Sequence, residues 1–118
     1  DFSISKKNVL RGFHGDSKTW KLVSCIHGSF DLFVVNYDKL SKQYLKTAKF
    51  NLTDKKYVQI LIPPKFGNAH LVKSDKAIFH YKQTTYYNRK GQFTIKWNDP
   101  RLKIKWGIKK PILSERDK

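Results

Sequence analysis

The residues of this chain best suited to chemistry stand near its beginning, in Arg11-Gly12-Phe13-His14, with Lys21 seven residues further on. They place a guanidinium, an imidazole and an ammonium group at the edge of one predicted sheet. Removing a proton next to a ketone requires such a set. An imidazole accepts a proton near neutral pH, and cations hold the negative charge that then develops on the ketone oxygen. A His after a Gly-aromatic pair is also common as a plain turn residue, so the motif alone leaves both interpretations open.

Length and charge limit the class of protein. The chain has 118 residues, and we predict a single domain over 1–118 with a packed core. The formal charge of +16 raises nucleic-acid binding as a hypothesis. The lysines are spread along the chain, however, without a block of five or six and without a recognised nucleic-acid motif. We therefore predict no nucleic-acid partner. A nucleic-acid-binding β-barrel is the charge-driven alternative, and it requires exposed aromatic side chains grouped with the lysines on one face.

The sequence also gives information on the cellular location of the protein. No apolar run approaches the ~20 residues needed to span a bilayer, so we predict no membrane association. The single cysteine, Cys25, cannot form an internal disulfide, and its apolar strand predicts a buried thiol. A cytoplasmic location is consistent with both features.

Short apolar or alternating stretches, separated by Gly, Pro and Asn-Asp turns, predict a chain of β-strands with little helix. The predicted strands are Thr19–His27, Ser29–Tyr37, Leu45–Leu52, Tyr57–Ile62, His70–Lys73, Ala77–Thr84, Phe93–Trp97 and Leu102–Trp106, with one helical turn at Asp38–Gln43. Two apolar faces are predicted for Ser29–Tyr37, made by Phe30, Leu32 and Val34 and by Phe33, Val35 and Tyr37. A strand of this kind is typical of the inside of a sandwich or barrel, so the chain is predicted to be all-β.

Five motifs occur in an order and spacing that resemble one family: Arg11–His14, Ile62–Gly67, Tyr81–Tyr87, Lys96–Pro100 and Pro111–Asp117. They are similar to those of the cupin family of nucleotide-sugar epimerases typified by dTDP-4-dehydrorhamnose 3,5-epimerase, from about Val9 to Asp117. The resemblance implies a cupin jelly roll, a double-stranded β-helix barrel. It also implies an enzyme that inverts C3, C5 or both of a nucleotide-linked 4-keto sugar. Family members usually carry a further N-terminal segment, so we expect this chain to be a fragment whose beginning is missing.

The resemblance implies three catalytic residues. His14 is the general base that removes the proton at C3 or C5, which is acidic because the C4 ketone delocalises the charge as an enolate. Asp117 is the carboxylate partner that fixes the tautomer of His14. Tyr81 is the acid that returns a proton from the opposite face of the ring, as inversion requires. Without the resemblance, Tyr81 is an ordinary core aromatic and Asp117 a solvated residue near the C-terminus.

The resemblance also implies a nucleotide-diphosphate sugar as substrate and a set of residues that bind it: Arg11, Lys21, Asn68, Tyr87, Gln92 and Arg116. Lys21 is the candidate for holding the developing oxyanion, because it lies in an otherwise apolar strand where an unpaired ammonium is costly. Tyr87 matches an aromatic residue that stacks on the substrate in the family.

Three departures from the common family pattern bear on the substrate. Asn68 stands where the family has His, Gln92 where it has Glu, and the segment between His14 and Lys21 is shorter. Asn and Gln form hydrogen bonds but carry no charge. The short loop and the sequence 67–70 resemble the branch that acts on GDP-4-keto-heptoses in capsule synthesis. The nucleotide base, the sugar and the inverted carbon therefore stay open.

We predict no metal and no cofactor. The four histidines, His14, His27, His70 and His80, do not form the His-X-His spacing of metal-binding cupins, and the resembling family works without metal.

Other interpretations of the same residues are kept. A cupin that binds sugar nucleotides without turning them over would use the same side chains. A 3,4-ketoisomerase would need a His-X-His pair after Arg-Gly-X, and Gly15-Asp16 supplies neither. Because the resembling family forms dimers that exchange N-terminal strands, we expect a homodimer.

Overall fold

The computed structural model describes residues 1–86 and 89–118. The strands found within these ranges are, in chain order, β1 (Phe2–Lys6), β2 (Val9–Gly15), β3 (Lys21–His27), β4 (Ser29–Asn36), β5 (Thr47–Thr53), β6 (Ile60–Ile62), β7 (Phe66–Val72), β8 (Lys76–Gln83), β9 (Phe93–Thr94) and β10 (Ile112–Leu113). The helical segments of this part of the chain are single 3-10 turns at Arg89–Gly91, Pro100–Leu102 and Glu115–Asp117. None of them has the length and apolar character required to cross a lipid bilayer. The prediction of an all-β protein is confirmed.

The strands form two sheets. One has four strands in the order β1-β8-β3-β6, and the other has six, in the order β10-β2-β7-β4-β5 with β9 beside β2. Neighbouring strands pair antiparallel, except that β10 runs parallel to β2. Successive strands mostly alternate between the two sheets, and among the described strands only β4 and β5 are both consecutive in the chain and paired with each other.

The core divides into two apolar clusters, one on each face of the six-stranded sheet. The inner cluster contains Val23, Phe30, Leu32, Val34, Leu52, Ile62, Val72, Ala77 and Phe79. The outer cluster contains Leu10, Phe13, Phe33, Val35, Ala69, Leu71, Ile95, Leu102 and Trp106. Strand β4 contributes to both clusters, so the prediction of two apolar faces for this strand is confirmed. The C-terminal segment covers the outer face and thereby reaches β2.

The prediction of a strand at Leu102–Trp106 is wrong. Lys103 adopts a left-handed backbone conformation with φ 53°, and its N–H bonds to the carbonyl of Pro100, which turns the chain away from strand geometry. The alternation of apolar residues still reports burial, because Leu102 and Trp106 pack into the outer cluster. Trp106 is held there by its indole N–H, which donates to the carbonyl of Trp97 at 3.0 Å.

Other boundaries also differ from prediction. Of the predicted strand Tyr57–Ile62 only Ile60–Ile62 is paired, with β3, and Tyr57 is fully exposed. The helical turn expected at Asp38–Gln43 is a series of hydrogen-bonded turns.

Cys25 is half-buried rather than buried, and burial raises its pKa to about 11, so the thiol is protonated at neutral pH.

Candidate active site

The site begins with an irregularity in β2. Residues three apart on a regular strand point to opposite faces of the sheet, yet Arg11 and His14 line the same cavity. The register of β2 against β7 shifts between these two residues, and Gly12 lies there with φ 118°. A β-bulge of this kind re-aims side chains. The glycine of the Arg-Gly-X-His motif therefore allows the guanidinium and the imidazole to face one ligand.

Substituting this glycine should damage both the fold and the site. A Cβ on Gly12 would lie 2.4 Å from the carbonyl oxygen of Asn68 and 2.6 Å from the Cα of Ala69, both backbone atoms. We expect Gly12→Ala to lower the free energy of unfolding by about 3 kcal/mol, measured by urea denaturation. The matched control is Gly107→Ala, which shares a positive φ of 74° but meets nothing within 4 Å, so only ~1 kcal/mol of backbone strain is expected. Equal losses in the two variants would contradict this explanation of the motif.

The cavity has a volume of about 330 Å³ and lies between the two sheets. The six-stranded sheet lines one wall with Arg11, His14, Asn68 and His70, and the four-stranded sheet lines the other with Ser3, Lys21, Phe79, Tyr81 and Gln83. Gln92, Ser114 and Arg116 complete the lining. A space of this size suits a small organic ligand.

His14 is joined to a carboxylate that lies 103 residues away in sequence. Its Nε2 lies 2.6 Å from Oδ1 of Asp117, whose side chain is almost completely buried. Strand β10 produces this contact, because it pairs in parallel with β2 at Ile112 with Val9 and Leu113 with Leu10. The chain then continues alongside the Arg11–His14 segment and brings Asp117 level with His14.

Asp117 is held as a carboxylate by several donors. Its Oδ2 accepts hydrogen bonds from the backbone N–H of Gly12 at 3.2 Å and from the hydroxyl of Ser114 at 3.1 Å. Burial alone would raise the pKa of Asp117, but the bond and charge of His14 and the bonds from Gly12 and Ser114 lower it below its ordinary value. An ionised Asp117 accepts the Nε2–H of His14, so the other ring nitrogen, Nδ1, keeps its lone pair free to take a proton.

Tyr81 faces this pair from the opposite wall. It lies on β8 of the four-stranded sheet, whereas His14 lies on β2 of the six-stranded sheet, so a ligand in the cavity sits between them. The Tyr81 hydroxyl donates to Oδ2 of Asp1 at 3.2 Å. Two proton-carrying groups on opposite walls can act on opposite faces of one ring.

Lys21 enters the same space from β3. Its Nζ donates to Oδ1 of Asn68 at 3.3 Å, which links the two walls. Burial lowers the pKa of Lys21, the charge of Asp16 opposes this shift, and the charge of Arg116 adds to it. A negative charge on a bound ligand would raise the pKa of Lys21 again, so Lys21 is placed to respond to an anion.

The remaining predicted binding residues lie at the rim. Arg11 is exposed, and its Nε donates to the hydroxyl of Ser5 at 3.2 Å. The guanidinium of Arg116 donates to Oε1 of Gln92 at 3.1 Å and to the hydroxyl of Thr94 at 3.3 Å. Tyr87 lies outside the described residues. The other predicted site residues all line this cavity, except Asp117, which contacts it through His14.

Sequence reasoning missed His70 as a site residue. It is buried in the cavity wall and stacks on Phe79 with ring centroids 4.1 Å apart. The signal was present in 67–70, where the chain departs from the common family pattern. In the described ranges, no three His, Cys, Asp or Glu side chains come together as metal ligands would.

The chain is similar in sequence to one known family. The family described as dTDP-4-dehydrorhamnose 3,5-epimerase matches the chain over residues 1–118. Among curated proteins, the dTDP-4-dehydrorhamnose 3,5-epimerase of Shigella flexneri is 34% identical over 118 residues, covering 98% of this chain and 65% of that protein. The protein of the same description from Escherichia coli K12 is 39% identical over 107 residues, covering 88% and 58%. The chain thus spans less than two thirds of the length of these relatives.

Solved structures agree closely with the fold. The crystal structure of dTDP-4-dehydrorhamnose 3,5-epimerase from Elizabethkingia anophelis has a TM-score of 0.94 at 33% identity, covering 99% of this chain and 67% of that one. An epimerase from Legionella pneumophila in complex with dTDP-4-keto-L-rhamnose has a TM-score of 0.93 at 34% identity, covering 99% and 64%. The predicted cupin-type jelly roll is confirmed.

Proposed function

The chain belongs to the dTDP-4-dehydrorhamnose 3,5-epimerase family, and from this premise we propose that it is an epimerase of a nucleotide-linked 4-keto sugar, acting at C3, C5 or both. One observation carries the proposal: His14, which lies on one sheet and is paired with Asp117, faces Tyr81 on the other sheet across a single cavity. Epimerisation requires a base and an acid on opposite faces of the sugar ring, and this arrangement supplies both.

The reaction follows from the geometry. His14 takes the proton next to the C4 ketone, and the electron pair of the broken C–H bond forms a C–C double bond while the carbonyl oxygen becomes an enolate oxygen. Lys21 lies on the opposite wall to stabilise that negative charge. Tyr81 then gives its hydroxyl proton to the other face of the carbon, and the ketone re-forms with inverted configuration. Exchange with water reprotonates Tyr81 and deprotonates His14, so neither metal nor cofactor enters the cycle.

For the substrate, we propose a GDP-linked 4-keto-heptose. Support comes from Asn68, which replaces a family His with an uncharged side chain that contacts Lys21, and from the short loop before Lys21. Asp16 closes this loop by accepting from the backbone N–H groups of Lys18 at 3.0 Å and Thr19 at 2.7 Å. This loop directly precedes Lys21 of the cavity wall, and a compact loop there leaves more room for a longer sugar.

The test is incubation in deuterated water with EDTA, using a GDP-4-keto-heptose and a dTDP-4-keto-6-deoxyhexose in parallel, read by NMR and mass. We expect deuterium at C3, C5 or both, with the higher kcat/KM for the GDP-heptose. A reversed preference would refute the finer proposal alone. Tight binding without any exchange would instead identify a non-catalytic sugar-nucleotide-binding protein. Turnover lost in EDTA and restored by a metal ion would refute the metal-free cycle.

Tyr81→Phe should separate the two half-reactions. The variant keeps the ring that packs on Phe79 but loses the hydroxyl, so His14 can still remove a proton and return deuterium to the same face. We expect deuterium incorporation to continue while net inversion falls about 100-fold or more. If incorporation and inversion fall together in a folded variant that still binds substrate, Tyr81 acts in the first step and the division of roles is wrong.

We also propose a homodimer. The outer face of the four-stranded sheet exposes Phe2, Ile4 and Leu61, each more than half accessible, beside the half-buried Leu22 and Ile78. Exposed apolar side chains on one face of a sheet are typical of a protein interface. The predicted absence of a nucleic-acid partner stays a prediction.

The proposed dimer can be tested by introducing charged side chains into its interface. Ile4→Lys with Leu61→Lys would bring two ammonium groups from each protomer into the proposed interface, and we expect the dimer Kd to rise about 100-fold by sedimentation velocity. Leu40→Lys is the matched control, since Leu40 is 92% exposed and lies off that sheet. A wild-type chain that is monomeric at high concentration would refute the dimer.

A further inference from the structure

His70 combines deep burial with an unused polar atom. Its residue surface is 4% exposed, and within the described part of the chain its Nε2 is buried without a hydrogen-bond partner. Yet the side chain belongs to the wall of the cavity, on β7 between Asn68 and the inner cluster. An unpartnered polar atom on a side chain that lines a cavity is a candidate for contact with a ligand atom.

Packing alone does not account for a histidine at this position. The ring stacks on Phe79 at 4.1 Å and lies 5.3 Å from Phe30, an aromatic environment that suits a phenyl ring equally well. Leaving a buried polar group unpaired costs about 1–3 kcal/mol. A phenylalanine would avoid that cost, so the imidazole destabilises the free protein and is explained by what it contacts when the cavity is filled.

The ring is uncharged at neutral pH. Burial, and then the charges of Arg11 and His14, lower the pKa of His70 to about 3, while Asp117 opposes the shift. Arg11 faces it directly, as its partner in the β2–β7 ladder. A neutral imidazole of such low pKa does not compete with His14 for the substrate proton. It also does not attract a diphosphate, whose negative charge is met by Lys21, Arg11 and Arg116. Its chemistry suits an uncharged hydroxyl group.

We propose that His70 is a substrate-binding residue whose Nε2 forms a hydrogen bond with a hydroxyl group of the sugar ring, next to the carbon that His14 deprotonates. This inference rests on the proposed function. It adds a neutral contact to the sugar, so that the imidazole recognises the hydroxylated ring while the cationic rim holds the nucleotide.

The test compares binding of the sugar nucleotide with binding of its nucleoside diphosphate alone. For His70→Phe we expect affinity for the GDP-linked or dTDP-linked keto sugar to fall about tenfold, with affinity for GDP or dTDP unchanged. Thermal stability should stay equal or rise, because an unpaired buried nitrogen has been removed. His70→Gln, which keeps an amide near the position of Nε2, should recover most of the lost affinity. His27→Phe is the control, since His27 is an exposed histidine outside the cavity.

The outcomes are distinguishable. Unchanged sugar-nucleotide affinity in His70→Phe overturns the proposal, as does an equal loss for sugar nucleotide and nucleoside diphosphate, which would mark a structural role. A His70→Gln variant that binds no better than His70→Phe also overturns it. Should His70→Phe not fold, the same comparison is made with His70→Leu. If the wild-type protein exchanges no deuterium, the epimerase proposal fails, while these binding measurements still decide the role of His70.

Discussion

His14→Asn should abolish deuterium incorporation into the 4-keto sugar at every position, with kcat at least about 10³-fold lower. Asparagine is polar and similar in length, but its amide cannot accept a proton near neutral pH. Without a base the C–H bond is not broken, so neither incorporation nor inversion can begin. Loss at C3 and C5 together is the distinguishing result, because one base serving both carbons predicts it.

The measurement is NMR-detected exchange in deuterated water, together with substrate affinity by calorimetry. Affinity should change little, since Lys21, Arg11 and Arg116 remain to hold the nucleotide and sugar. The control is His27→Asn, a histidine outside the cavity that should leave exchange unchanged. If His14→Asn retains exchange at one carbon, a second base acts there, and the single-base mechanism is wrong.

Asp117→Asn should produce a loss almost as large, about 10³-fold to 10⁴-fold in kcat, by fixing the wrong tautomer of His14. Oδ2 of Asp117 accepts from Gly12 and Ser114, so an asparagine will place its carbonyl oxygen there. Its NH2 group then points at Nε2 of His14, in the place where the wild-type residue has an acceptor oxygen 2.6 Å away. Nε2 must accept, the ring proton moves to Nδ1, and the base no longer has a free lone pair.

The expected readout is a fall in kcat with unchanged regiochemistry and little change in substrate affinity. Glu115→Gln serves as the control, because Glu115 is an exposed carboxylate two residues away whose partner is Lys118. A fall below about tenfold in Asp117→Asn would show that the carboxylate does not orient His14.

Asp117→Asn also tests how the stability of the protein changes with pH. The pKa of Asp117 in the folded protein is lowered below its ordinary value of 3.8. Its stabilising contribution is therefore present above that value and is lost as pH falls through the lowered pKa. Urea unfolding should show wild type more stable than Asp117→Asn at pH 7, with the difference shrinking under acid. A difference that grows on acidification would contradict the lowered pKa.

Much of the fold was predictable from local patterns. The two apolar faces of β4 identified a strand buried on both sides, and Pro63 and Pro64 correctly marked the end of β6. Periodicity reports which side chains are buried, but not which backbone groups have a partner. For this reason the alternation over Leu102–Trp106 marks the buried Leu102 and Trp106, although the segment is not a strand.

For the candidate site, too, local sequence and tertiary structure determined different features. Local sequence determined the residue types able to carry out proton transfer and bind charge, and the order of motifs identified the family in which His14, Tyr81 and Asp117 belong together. Tertiary structure alone decided that β10 pairs in parallel with β2 and so sets Asp117 against His14. It also decided that Gly12 bends β2 so that Arg11 and His14 share a cavity, and that His70 is buried there with an unpaired nitrogen. Contacts across 103 residues depend on the register of strands remote in sequence, and register is set by how both faces of a sheet are buried, which no single segment encodes.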